Sequence, residues 1–166
     1  MSNATVSADA AAVPGYAISH LHEIALEVFS TMVRCPLIAR PNDPPRVYPR
    51  DIAGTVAFSG SWTGYVSMVT SQQGARHITA ALLEMEPTEV DSQVRDAFGE
   101  VVNMVTGSFR SRMVKPGETW AITMPVVATG HDLAIEPPGD VGHVARSYLM
   151  DTEVVDIHLV VTNLGR

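Results

Sequence analysis

Residues 88–113 read TEVDSQVRDAFGEVVNMVTGSFRSRM. On a helical wheel at about 100° per residue, Val94, Phe98, Val101, Val105 and Phe109 fall on one apolar stripe. Asp96, Glu100, Asn103, Gly107 and Arg110 collect on the opposite side, within an arc of roughly 80°. The spacing predicts one long amphipathic helix from Thr88 to Met113. Thr88 can cap its N-terminus, Asp91 suits the first turn, and Pro116-Gly117 closes the region. Gly107 is out of place, because a glycine inside an exposed helix costs about 1 kcal/mol relative to alanine. A surface that another backbone must approach closely is one reason to keep it.

Upstream, Gln72–Met85 has helical periodicity through Ile78, Ala81, Leu82 and Met85, and Pro87 breaks it. Ile52–Ser59 and Thr63–Thr70 read as two strands joined by a turn at Gly60-Ser61, a hairpin. The segment from Arg40 to Pro49 holds Pro41, Pro44, Pro45 and Pro49 and reads as a loop, with room for a short strand at Pro36–Ala39. Tyr16–Arg34 is a further amphipathic helix, limited by Pro36. Residues 1–14 are small and polar and are expected to be a disordered tail. Downstream come four strand candidates: Trp120–Thr129, Asp132–Glu136, Val141–Met150 and Val154–Thr162. The last is strongly β-branched. Strands and helices come in runs and do not alternate strictly. This indicates an α+β domain over residues 15–166, with a largely antiparallel sheet and its helices on one face.

Composition narrows the function. The 166 residues are 46% hydrophobic and 17% charged, enough apolar material for a core. Eighteen acids against eleven Lys and Arg give a net charge of −7, the wrong balance for gripping nucleic acid. No apolar run approaches the roughly 20 residues that cross a bilayer, so membrane insertion is not expected. The N-terminus lacks the basic-then-apolar pattern of a secretory signal, and a cytoplasmic location is the expectation. One cysteine, Cys35, excludes an internal disulfide framework and reads as a small packed residue. His20 and His22 are two apart, which on a helix points them in different directions. His77, His131, His143 and His158 show no metal-ligand spacing. No metal or cofactor is expected on this chain. Met32, Met68, Met85, Met104 and Met113 all fall where core packing explains them.

A Glu-x-x-Asn pair on a solvated helix face is ordinary. The extended pattern Asp96-x-x-x-Glu100-x-x-Asn103-x-x-x-Gly107 is much rarer. It resembles the signature of the CheC/CheX/FliY family of chemotaxis phosphatases, and the CheX branch most closely. That signature is Asp or Ser, three residues, Glu, two residues, Asn, then Gly one turn on. Ile122–Asp132, with Pro125 and the Gly130-x-Asp132 turn, is similar to the family's strand and turn after the active helix. Val155–Val161 resembles its terminal strand, and the Gly64–Met68 strand with the helix ending at Ala81–Met85 also fits. Ser108 departs from the pattern, since the family often has Asn there. The first helix carries Ser19-x-x-x-Glu23-x-x-Leu26, offset by 77 residues, with Leu where Asn would stand. It reads either as a degenerate copy or as coincidence in an amphipathic helix.

The resemblance implies a CheC-like fold, with two other helices packed beside the long one. It also implies a hydrolase acting on the phospho-aspartate of a CheY-like receiver in chemotaxis signalling. Asn103 would orient the attacking water: its oxygen accepts from water and its nitrogen donates, and no charge approaches the phosphoryl group. Glu100 would pair with the receiver's active-site lysine. Asp96, Gly107 and Arg110 would form the rim that meets the partner. Mg²⁺ is expected on the receiver and not on this chain. An edge-to-edge homodimer is also implied, and Val154–Thr162 is the apolar strand that suits such an edge. Two other readings stand beside this one. The first is a non-catalytic receiver-binding or flagellar switch-type module on the same scaffold. The second is a hot-dog-like acyl-thioester enzyme, which would need its acid in a tunnel at the subunit interface.

Overall fold

The computed structural model describes residues 12–40 and 48–163. Residues 1–11 of the expected tail and 41–47 of the proline-rich loop lie outside the described residues. Val13 packs against the core, and the Pro14 carbonyl accepts the Ala17 and Ile18 N–H groups at 3.0 and 3.2 Å. That opens α1, Gly15–Val28. The helix widens into a single π turn, Phe29–Val33, and stops at Arg34, whose φ of 62° is left-handed. After β1, Ile38–Ala39, the hairpin follows as expected: β2, Ile52–Ser59, and β3, Thr63–Thr70, with Ser59 opposite Thr63. Ser71 caps α2, Gln72–Leu83, by accepting from the Gly74 N–H.

The long helix is α3, Ser92–Met113. It starts four residues later than Thr88, because the Asp91 carboxylate takes the Val94 N–H at 3.0 Å and so occupies the cap position. Arg110 and Arg112 lie in its last turn, where the helix dipole favours cations. Four strands complete the chain: β4, Ala121–Ile122; β5, Val126–Thr129; β6, Gly142–Met150; and β7, Glu153–Asn163.

All seven strands form one antiparallel sheet in the order β1-β6-β7-β3-β2, with β4 and β5 pairing along the remaining side of β2. Three expectations need correction. First, Val154–Thr162 is not an edge: β7 sits between β6 and β3, paired on both sides. Second, Trp120–Thr129 is two strands. Pro125 has no N–H for the ladder, and Thr123 bonds Ala57 with both its N–H and its hydroxyl, which breaks the regular pairing. Third, Asp132–Glu136 is not a strand. Asp132 turns at φ 51°, and the segment joins β5 on one side of the sheet to β6 on the other, bonding the Arg50 carbonyl through the Leu133 N–H at 2.8 Å but forming no ladder.

The helices share one face of the sheet. Leu21 and Ile24 of α1, Ile78 of α2, and Phe98, Val101, Val105 and Phe109 of α3 meet Val56, Phe58, Val66, Ile157 and Leu159 in a single core. Each such buried side chain contributes about 1.5–3 kcal/mol relative to exposure. Phe58 stacks on Trp120 with centroids 5.4 Å apart and touches Phe109 at 5.8 Å, which seats the C-terminal half of α3. The N-terminal half lies so close to β2 that a Cβ on Gly54 would come within 2.8 Å of Val102 Cγ2. The helix that carries the polar strip is therefore held along its whole length.

Candidate functional site

The strip lies where the wheel puts it. The stripe opposite is fully buried, and Asp96 and Glu100 are exposed, with Asn103, Gly107 and Arg110 half-buried. At 1.5 Å per residue, Glu100 and Gly107 are about 10 Å apart along the axis, with Asn103 between them. Asp96, Glu100 and Asn103 make no hydrogen bond or ion pair with any described residue. Arg110 does: its guanidinium donates to the Trp120 carbonyl at 3.4 Å, which draws it toward the end of the strip.

Both flanks of the strip are fixed. On one side Gly99 receives β5 and the residue before it, and a Cβ there would meet Val127 Cγ2 at 3.2 Å and Pro125 Cβ at 3.3 Å. On the other side Arg112 donates to Glu23 at 2.8 Å and to Glu27 at 2.6 Å, tying α3 to α1. Gly107 differs from Gly99 in kind, since a Cβ on it would meet nothing within 4 Å. No packing among the described residues requires a glycine at 107.

Sequence reasoning missed the apolar borders of the strip. Met124 is 83% exposed and Val126 69% exposed, beside the Pro125 and Val127 that rest on Gly99. Across the helix, a groove of about 520 Å³ opens between α1 and α3, lined by Thr31, Met32, Met104, Gly107 and Arg112 among others. The expected core role of the methionines holds for Met68 and Met113, which are buried, but Met32 is 54% exposed. The π turn at Phe29–Val33 adds a residue to that turn and rotates Met32 out of phase with the buried stripe. Exposed apolar residues next to free polar heads are what an interface core looks like before it is covered.

The arrangement limits the chemistry. No group of three or more His, Cys, Asp or Glu that could hold a metal occurs among the described residues. Burial raises the Cys35 thiol and Asp151 adds to the shift, so it is a poor nucleophile at neutral pH. The acyl-thioester reading fails, because Glu100 stands on an open helix face and not in a tunnel. A carboxylate and a carboxamide without partners among the described residues, on a helix held along its length, suit contact with a site on another protein. No helix among the described residues is long and apolar enough to cross a membrane.

Residues 52–147 match the family model described as "Chemotaxis phosphatase CheX". The chain belongs to this family. A curated CheX, the "CheY-P phosphatase CheX" of Thermotoga maritima, is 27% identical over 118 residues, spanning 70% of this chain and 76% of that one. Among solved structures, a CheC-like superfamily protein from Shewanella sp. PV-4 superposes with a TM-score of 0.79 at 20% identity, covering 91% of this chain and all of that one. The CheX of a CheX–CheY–BeF₃–Mg²⁺ complex from Borrelia burgdorferi superposes with a TM-score of 0.74 at 18% identity, covering 87% and 96%. The CheC-like α+β architecture expected from the sequence is therefore the observed one. The matched segment contains Asp96, Glu100, Asn103 and Gly107.

Proposed function

We propose that this CheX-family protein hydrolyses the aspartyl phosphate of a CheY-like receiver, using Asn103 and Glu100 as the groups inserted into the receiver's site. One observation supports the assignment to these residues: among the described residues Glu100 and Asn103 have no partner, and they share a helix face with a glycine that no described packing needs. In the reaction a water oxygen bonds to phosphorus as the bond from phosphorus to the aspartyl oxygen breaks. The electron pair leaves with the carboxylate, and the water's protons pass to the phosphate product and solvent. The leaving group is already good, so positioning supplies most of the catalysis. The Asn103 amide accepts from and donates around that water. The Glu100 carboxylate would be repelled by the phosphoryl oxygens, so it anchors the receiver through its lysine. Asp96, Gly107 and Arg110 form the rim. The Mg²⁺ that offsets phosphoryl charge belongs to the receiver.

The test is the decay of a phosphorylated CheY-like receiver with and without this protein. The Asn103→Ala variant is expected to lose at least about 100-fold in hydrolysis while still binding the receiver. Near-wild-type hydrolysis by that variant would remove Asn103 from the mechanism. Binding by the wild type without faster decay would favour the non-catalytic module. The same reading places the protein in the cytoplasm with its receiver, as a homodimer joined through an outer side of the sheet, since β7 is fully paired. Light scattering at micromolar concentration should give about twice the 17.8 kDa chain mass.

A further inference from the structure

The polar strip is too small to hold a folded partner by itself. From Asp96 to Gly107 it runs about 16 Å along the helix axis, and it is one helix wide, about 10 Å. A specific protein contact covers about 800 Å² on each partner, a patch of roughly 16 Å radius. A receiver centred on Asn103 therefore also meets what flanks α3. Packed helix axes lie about 8–10 Å apart, so the groove between α1 and α3 falls inside that radius.

The chain directs the partner to this flank. Gly107 belongs to both surfaces: it follows Asn103 by one turn on the strip, and it lines the groove. A Cβ there would meet nothing within 4 Å among the described residues, so a backbone seated on it overhangs the groove. On the β5 flank the corresponding glycine, Gly99, is already filled by Val127 and Pro125.

The lining suits an apolar occupant. Met104 follows Asn103 on α3, and Met32 comes from the turn after α1, 54% exposed. Two of the groove's hydroxyls are already used: Thr31 donates to the Glu27 carbonyl at 2.7 Å and Ser111 to the Gly107 carbonyl at 2.9 Å. Methionine surface adapts to irregular apolar shapes. The border of the groove has the sign of the strip. Glu23 and Glu27 share one guanidinium, that of Arg112, and so keep a net negative charge, like the exposed Asp96 and Glu100. The lysine-bearing face that meets Glu100 is therefore complementary to this border as well.

We propose that the α1–α3 groove seats an apolar side chain of the receiver next to its phosphorylation site, with Met32 and Met104 setting affinity for the receiver while Asn103 acts on the water. This rests on the receiver reading of the strip and names the apolar half of the same contact.

The test uses the full chain with its methionine methyl groups labelled with ¹³C. It is titrated with a CheY-like receiver held in its phosphorylated form by beryllofluoride and Mg²⁺, beryllofluoride standing in for the phosphoryl group. Saturable shifts are expected at Met32 and Met104, with the buried Met68 and Met113 unmoved. Met32→Gln should weaken binding about 5-fold, the effect of covering the exposed half of one methionine, and Met32→Leu should restore it. In the decay of the phosphorylated receiver, the glutamine variant should raise KM by a similar factor and leave kcat unchanged. Wild type that binds without faster decay would sink the phosphatase reading, while the binding series still judges the groove. Faster decay with a silent Met32 methyl, equal binding by Met32→Gln, or equal loss in Met32→Leu would overturn the groove alone. No binding by the wild type would overturn both. In the free chain, nuclear Overhauser contacts from the Met32 methyl to residues 1–11 would give the groove to that segment. A Met32 resonance that moves on dilution would give it to a second copy, and either result overturns the proposal.

Discussion

Gly107→Ala separates what the fold needs from what a partner needs. In the interior of a helix, alanine is favoured over glycine by about 1 kcal/mol. At this position the new methyl meets no atom within 4 Å, and φ is not in the left-handed region, so nothing in the chain opposes the gain. Unfolding entropy of about 2.1 cal/mol/K per residue, over 166 residues, converts 1 kcal/mol into a rise in Tm of roughly 3 °C. The same methyl would stand between Asn103 and the receiver's backbone. Overpacking at a close-fitting contact costs about 1–3 kcal/mol, or roughly 5- to 150-fold in the rate constant at sub-saturating receiver. The variant should therefore be more stable and less active at once. Thermal denaturation and phospho-receiver decay on one preparation give both numbers. Higher stability with unchanged activity would show that no partner backbone approaches Gly107. Lower stability would show that the helix face is not as open as the geometry makes it.

Three further outcomes are expected. Glu100→Ala should abolish most activity through weaker complex formation, and the wild type should lose affinity with added salt more steeply than the variant; equal salt slopes would move Glu100 to the chemical step. Gly99→Ala should lower stability by about 1–2 kcal/mol in urea denaturation despite its better helix propensity, because its Cβ would press on Val127 and Pro125 at 3.2 and 3.3 Å. Burial, then the neighbouring His143, push His158 down to about 4, so between roughly pH 6.5 and 4 the unfolded chain binds the proton that the folded one refuses. The stability from that neutral imidazole is complete above pH 6.5 and falls by on the order of 2 kcal/mol as pH drops through the window; a Tm–pH profile should be flatter for His158→Gln, and identical profiles would remove the histidine as its cause.

Most element boundaries were legible because they follow from local alternation. Thr63–Thr70 is observed as expected, and the last strand differs by a residue at each end. What local pattern could not supply was pairing. The apolar, β-branched character of Val154–Thr162 suits an edge in a dimer but does not say which strands flank it. In the fold Val154 and Val160 are buried on one face while Val155, Ile157, Leu159 and Val161 are buried on the other, so both faces of β7 are covered. Asp156 and His158 interrupt the face of Val154 and Val160, and Asp156 is held there by Arg50 and Ser147, so the sequence alone does not mark this strand as central. Asp132–Glu136 shows the opposite failure: its alternation is real, but no neighbouring strand accepts it, and alternation without a partner is only an extended crossover.

The candidate site divides along the same line. An α-helix is a ruler, so Glu100, Asn103 and Gly107 could be placed on one face from spacing alone. The apolar border could not, because Met124 and Val126 reach α3 only through the pairing of β5 with β2. The two glycines of α3 make the distinction sharpest. In sequence Gly99 and Gly107 are alike, each an apparent flaw in a good helix. In the fold Gly99 is filled by Pro125 and Val127, while Gly107 is filled by nothing among the described residues. A residue that weakens its own helix without an internal contact to justify it points to a surface supplied from outside. Here that residue lies one turn beyond Asn103 and two beyond Glu100, whose polar groups also find no partner among the described residues.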